Sequence, residues 1–171
     1  FVLFESPDSA RTLDHVHASV RAHADDRPPL PPNTFEATLT IGGQTIPFSS
    51  MQMTRSTNSD DNLVLSTTTY IDDGWTSIDL TLPDADANGR FPLTTDSGPD
   101  FVGVRVSHDG MEYRSELASP PTGFVEFEQV PLADKTYFTV TSGEFEAELG
   151  GVASARVTGR FNVDDLTFWE L

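Results

Sequence analysis

From Phe35 onward, apolar side chains recur at every second position, and few chain conformations are compatible with that rhythm. Phe35, Ala37, Leu39 and Ile41 alternate with Glu36, Thr38 and Thr40, which places one set on each face of an extended strand. Gly42-Gly43 then supplies the positive φ angles of a tight turn, and Gln44 to Phe48 returns as the second arm of a hairpin. The same alternation predicts strands over 62–70, 77–82, 101–107, 112–117, 124–130, 137–141, 144–149, 155–161 and 166–169. Turn signals at Asp73-Gly74, Asn88-Gly89, Asp109-Gly110 and Gly150-Gly151 punctuate them at the spacing of antiparallel sandwiches and barrels. No stretch after residue 33 has the helical period of a crossover connection, which argues against a parallel α/β architecture.

The first 32 residues have a different character. Residues 6–27 carry a helical pattern, with Ser6 as N-cap, Pro7 at the first helical position, and Leu13, Val16, Val20 and Ala24 at three- to four-residue spacing. Pro28, Pro29, Pro31 and Pro32 remove amide donors, end the helix and make a stiff spacer. The expected organisation is an N-terminal strand, helix and proline-rich spacer over 1–32, followed by an antiparallel β domain over 33–171. The fold class is all-β, an antiparallel β-sandwich or barrel with one short N-terminal helix.

Charge restricts the partners. The chain has 10 Lys+Arg against 27 Asp+Glu, a formal net charge of −17. Such a surface repels phosphate backbones and anionic lipid head groups, so nucleic-acid binding and membrane attachment through basic patches are excluded as readings. Lys135 is the single lysine, and Asp outnumbers Glu, as in proteins of salt-loving microbes. At a Debye length of ~3 Å near 1 M salt, repulsion among surface carboxylates is screened and no longer opposes compaction. Codon usage in a GC-rich genome is the competing explanation of the Arg bias. Cysteine is absent, which rules out disulfides and thiolate metal sites. Phe1 to Phe4 form a terminal apolar run far too short to span a membrane, so direct membrane insertion is not expected.

Several short segments taken together resemble a group of small secreted β-rich lipoproteins of Bacteroidota. They are the hairpin Ala37 to Phe48, Ile78-Asp79-Leu80-Thr81-Leu82-Pro83 with Gly89-Arg90-Phe91-Pro92-Leu93, Gly123-Phe124-Val125-Glu126-Phe127, and Val157-Thr158-Gly159-Arg160-Phe161-Asn162-Val163. The resemblance covers residues 35–168 and implies a β-sandwich or barrel that is secreted or at the cell surface, with a periplasmic location as the variant. It carries over no catalytic residue. Those lipoproteins begin at a lipidated cysteine, which this chain lacks, and residues 6–32 fall outside their pattern.

The sharpest local motif is Asp84-Ala85-Asp86-Ala87-Asn88-Gly89-Arg90. Oxygen ligands at alternate positions, a glycine for the sharp turn and a backbone carbonyl from Arg90 match the first half of a calcium loop. A bidentate glutamate should close it, but Thr95 holds that position and Asp96 comes one residue late. The competing reading is a hairpin connection built on Asn88-Gly89. Ca²⁺ is the one cofactor suggested, with Asp84, Asp86, Asn88, Arg90 and Asp96 as its candidate residues. Asp60-Asp61 and Asp72-Asp73 read as solvated turn residues. Glu144, Glu146 and Glu148 share one strand face, which reads as a solvated face more readily than as a cation site.

His15, His17 and His23 lie at helical offsets that do not place all three on one face, and His108 falls in a predicted turn before Asp109-Gly110. No nucleophile elbow, zinc-protease motif, phosphate loop or dinucleotide fingerprint is present, so no catalytic residue is nominated and the chain reads as non-enzymatic. Trp75, placed in a loop after Asp72-Asp73-Gly74, is the candidate ligand-binding residue, because an exposed ring can stack on a sugar. Phe1, Val2, Leu3 and Phe4 are candidate assembly residues that would pair with their own sheet or with a neighbouring subunit in a homo-oligomer. The expected function is a structural or assembly module, secreted or surface-exposed. Its alternative is a calcium-assisted or aromatic-platform module binding a glycan or another small ligand.

Overall fold

The computed structural model describes residues 27–60, 62–71, 74–83, 88–96, 98–131 and 139–164. The predicted helix over 6–27, the terminal strand Phe1–Phe4, His15, His17, His23 and Trp169 lie outside the described residues, except for Arg27 at the helix end. Eleven antiparallel strands account for most of the remainder. They are β1 (Thr34–Ile41), β2 (Gln44–Ser50), β3 (Met53–Thr57), β4 (Leu63–Ile71), β5 (Gly74–Leu82) and β6 (Gly89–Pro92). After them come β7 (Gly103–His108), β8 (Met111–Arg114), a 3-10 turn at Ser115–Leu117, β9 (Gly123–Pro131), β10 (Thr139–Gly151) and β11 (Ala155–Asp164). The all-β fold expected from the alternation is the observed one.

The strands are hydrogen-bonded in the order β2-β1-β11-β10-β8-β7-β5-β4-β3, with β9 on β10 and β6 on β9. The strands at the two ends of that path, β2 and β3, are consecutive in the chain and separated by Met51-Gln52 alone. A sheet whose first and last strands are so tethered has to come round on itself. Ser50 Oγ donates to the Thr68 carbonyl at 3.4 Å, and Thr67 Oγ1 donates to the Gln52 carbonyl at 2.8 Å, which ties the corner. The result is a sandwich. One layer is β2-β1-β11-β10-β9-β6 and the other is β3-β4-β5-β7-β8, enclosing one hydrophobic core.

β10 makes the hand-over between layers. Its Thr139–Ala147 portion pairs with β9, and further along Gly150 and Gly151 pair with Arg114 and Tyr113 of β8. Gly150-Gly151, a turn signal in the sequence, belongs to the strand. The reason is steric: a Cβ at Gly150 would run into the Leu117 backbone, so the close passage of two chain segments requires glycine there. The predicted strands 137–141 and 144–149 are likewise one continuous β10 within the described residues, and β3 and β6 are strands beyond those the alternation predicts. Gly42 and Gly43 do form the predicted turn, with φ of 57° and 84°.

That two-residue turn sets the hydrogen-bonding register of the first hairpin. Ile41 and Gln44 flank it, so Thr38 and Pro47 face each other at a non-hydrogen-bonded pair, and the donor that proline lacks would have pointed off the free edge of β2. Pro47 thus costs the ladder nothing and discourages strand addition at that edge. Inside, the rings of Phe35 and Phe48 meet edge-on at 5.7 Å, and Phe145 stands 5.4 Å from Phe35. Leu63, Leu65, Ile78, Leu80, Val104 and Val106 complete the core from the opposite layer. Burying each such side chain contributes about 1.5–3 kcal/mol relative to leaving it exposed.

Before β1, the proline-rich segment does not stand free as a spacer. Arg160 Nη1 donates to the Pro28 carbonyl at 2.9 Å, and Asn162 Nδ2 to the Leu30 carbonyl at 2.8 Å, so the segment is strapped across the outer face of β11. A proline-rich stretch offers few groups other than carbonyls for hydrogen bonding, and the sheet supplies the donors.

Candidate functional site

Cross-strand register determines what each outer face presents, and the two layers present different chemistry. On the β1-β11-β10-β9-β6 layer, Glu36, Arg160, Glu144, Glu126 and Arg90 fall in one row across five strands. Arg160 binds Glu36 at 2.9 Å, and Arg90 approaches Glu126 at 3.6 Å. In the neighbouring rows Arg156 binds Glu146 at 2.7 Å and reaches Glu148 at 3.6 Å, while Arg27 lies 3.9 Å from Glu144. The three-glutamate face of β10 is thus matched by arginines. A groove of about 720 Å³ runs between the Pro28–Leu30 strap and the β9-β6 edge, with Leu30, Phe127 and Phe161 as well as Glu126, Glu128 and Ser142 among its walls.

The other layer carries a different row. Tyr70 and Trp75 face each other across the β4-β5 hairpin, both on the outward side. Their ring centroids lie 5.3 Å apart with planes inclined at 71°, and Tyr70 is 56% and Trp75 66% exposed. Trp75 is therefore on a strand, not in a loop as the sequence reading placed it, because Gly74 already pairs with Ile71. Tyr70 was missed. The signal was available: with two positions between Ile71 and Gly74, the next residues outward must face one another.

Moving along the strands, the row after the aromatic pair is Thr68, Ser77 and Ser107, and the row after that is Ser66, Asp79 and Arg105. Arg105 is drawn sideways to Glu112, which also accepts a 2.6 Å hydrogen bond from Arg114. That hydrogen bond, reinforced by the Arg105 and Arg114 charges, holds the Glu112 carboxyl below its usual range despite an opposing desolvation effect. Beyond this cluster the β4-β5 face is nearly free of charge. Asp79 is the one ionisable acid among its outward residues Val64, Ser66, Thr68, Tyr70, Trp75, Ser77, Asp79 and Thr81.

Of the residues suggested for calcium, Asn88, Arg90 and Asp96 are described. Asp84 and Asp86 lie outside the described residues. Asn88 Oδ1 accepts the Gln129 amide at 2.7 Å, Arg90 stands 3.4 Å over the Phe124 ring, and Asp96 is exposed with Thr95 Oγ1 at 3.5 Å. Asn88-Gly89 does not form a turn between two adjacent strands, since Gly89 opens β6, which pairs with the distant β9. Among the described residues no group of three His, Asp or Glu side chains is arranged to hold a metal ion.

His108 is the last residue of β7, not a turn residue, and it is 8% exposed. Its Nδ1 lies 2.8 Å from Thr76 Oγ1, and its Nε2 lies 3.5 Å from Asp109 Oδ2. The order hydroxyl, imidazole, carboxylate is that of a nucleophilic triad, yet Thr76 has no accessible surface. A hydroxyl sealed in this way cannot meet a substrate, so the cluster serves to satisfy buried polar groups where two hairpins meet. Phe1, Val2, Leu3 and Phe4, the candidate assembly residues, lie outside the described residues. No protein-family model, curated protein or solved structure matches the chain.

Proposed function

We propose that the chain is a non-enzymatic β-sandwich module, secreted or surface-exposed, that binds a glycan through an aromatic platform formed by Tyr70 and Trp75. The observation that carries this reading is the exposure of both rings, at 56% and 66%, on strand positions fixed by the hairpin register. Leaving a ring of this size in water forgoes about 1.5–3 kcal/mol of burial, and a ligand that stacks on it recovers part of that. The strand backbone keeps the platform rigid, so little ordering entropy is lost on binding.

For an assembly role by strand addition the relevant feature is Pro47, which blunts the β2 edge alone, and the candidate assembly residues Phe1, Val2, Leu3 and Phe4 lie outside the described residues. Retention on immobilised glycans tests the binding reading directly. Trp75→Ala and Tyr70→Ala should each weaken retention, Trp75→Ala the more, while leaving the thermal midpoint unchanged. Equal retention of wild type and both variants would reject the platform.

A further inference from the structure

The structure extends this reading beyond the two rings, and we infer that the whole outward face of the β4-β5 hairpin, with Ser107 beside it, is a track for a neutral, linear polysaccharide lying along the strands. The inference rests on the platform reading. It adds the ligand class, the direction of the chain and the residues that contact it.

Three observations support it. The first is charge: in a molecule of net charge −17, the outward positions of β4 and β5 carry Asp79 alone, whereas the outward positions of β10 carry Glu144, Glu146 and Glu148. A face with a single carboxylate on so acidic a protein fits a ligand without charge, and the surrounding field turns away an anionic one. The second is chemistry. Thr68, Ser77, Ser107 and Ser66 offer hydroxyls that both donate and accept, and the Asp79 carboxylate accepts, which suits the vicinal hydroxyls of a sugar.

The third is geometry. Side chains two residues apart on a strand are spaced by about 6.6 Å, so the track from Trp75 through Ser77 to Asp79 is roughly 13 Å long. It exceeds one sugar ring and starts at the aromatic pair. One ring stacks on Trp75, and the following units lie over short hydroxyl side chains that leave the face low enough to be approached. A charged or bulky side chain at Thr68 would obstruct the track beyond the aromatic pair and leave both rings in place, because Thr68 is exposed and pairs with Ser77, one row away from Tyr70 and Trp75.

The experiment uses the intact chain in molar NaCl. Affinity electrophoresis is run in gels carrying xylan, galactomannan or hydroxyethylcellulose as neutral polymers and alginate as an anionic one, followed by calorimetry with the monosaccharide and oligosaccharides of increasing length from the polymer that retards most. Wild type should bind a neutral polymer, and its affinity should rise about tenfold from the disaccharide to longer oligomers. Trp75→Ala should weaken every length. Thr68→Lys should weaken every oligomer of two or more units about tenfold and spare the monosaccharide, whereas Thr68→Ser should behave as wild type.

Thermal midpoints equal to wild type confirm that each variant is folded. Equal affinity for all lengths, with Thr68→Lys silent, would overturn the track and leave the platform standing. Stronger retardation by alginate would overturn the neutral ligand class. Absence of retardation in every gel would remove the platform and the track together, and self-association abolished by Trp75→Ala would assign the face to a second copy instead.

Discussion

The two layers of the sandwich obey one rule on their inner faces and different rules on their outer faces. Inside, β10 contributes Phe145, Ala147 and Leu149 as β5 contributes Ile78, Leu80 and Leu82, and all six are buried in one core. Outside, β10 presents three glutamates in succession, paired with arginines of neighbouring segments, whereas β5 presents Trp75, Ser77, Asp79 and Thr81. Burial imposes the inner composition, because an unpaired polar group there costs free energy. The outer composition is free of that constraint, so a difference between two outer faces of one molecule carries information about solubility and recognition rather than about folding.

The largest effects should come from breaking what the layers share. Phe35→Ala in one layer and Leu80→Ala in the other should cost about 3–5 and 2–5 kcal/mol in chemical denaturation, each in a single transition seen alike by fluorescence and circular dichroism. Two separated transitions would show that the layers do not form one cooperative core. Next in size is Arg160, whose side chain is only 20% exposed and which holds both Glu36 and the Pro28 carbonyl. Arg160→Ala should cost about 1.5–3 kcal/mol, while Arg156→Ala, at 52% exposed, should cost no more than about 1 kcal/mol. On the other face, Trp75→Ala should shift stability by less than about 0.5 kcal/mol while weakening ligand binding.

Salt sharpens the comparison further. Screening a net charge of −17 should raise the thermal midpoint between dilute buffer and molar NaCl, by roughly 2–4 °C for each kcal/mol of repulsion relieved. A flat midpoint would show that the Arg–Glu rows already balance the charge of their face and would remove the salt-adapted reading. The smallest effect belongs to Glu112, whose carboxyl is held below its ordinary value of 4.5 mainly by the Arg114 hydrogen bond. A depressed carboxylate contributes stability that is present above its unfolded value and lost as pH falls through the folded one. Glu112→Gln should therefore lower the midpoint slightly at neutral pH, leave it unchanged where the wild-type carboxyl is already protonated, and so flatten the acid limb below about pH 4.5, as read from denaturation midpoints across that window.

Much of the candidate site was legible once the strands were. Trp75 was singled out as an isolated aromatic after an acidic pair, but its partner was not, because Tyr70 closed a predicted strand and Trp75 was assigned to a loop. His108 shows the opposite failure. Its neighbours Asp109-Gly110 mark the turn correctly, with Asp109 and Gly110 both at positive φ, yet the burial of His108 against Thr76 depends on the pairing of β5 with β7 across a separation of 32 residues. Gly150 was misread for a related reason. Two consecutive glycines signal a turn when only local φ freedom is considered, and here they admit the close passage of the Leu117 backbone.

By itself the sequence determined which side chains of each strand face inward, since the Cβ alternation is a property of the extended backbone and needs no knowledge of neighbours. It also determined the acidity of the surface and the two-glycine turn of the first hairpin. Only the tertiary structure decided that β2 and β3 close the sheet at the Met51-Gln52 corner, that β10 serves both layers, and that Tyr70, Trp75 and a row of hydroxyls share one face nearly free of charge. Those features depend on which distant segments lie side by side. That choice is set by packing a shared core against the entropy of closing long loops, and no local window of residues contains it.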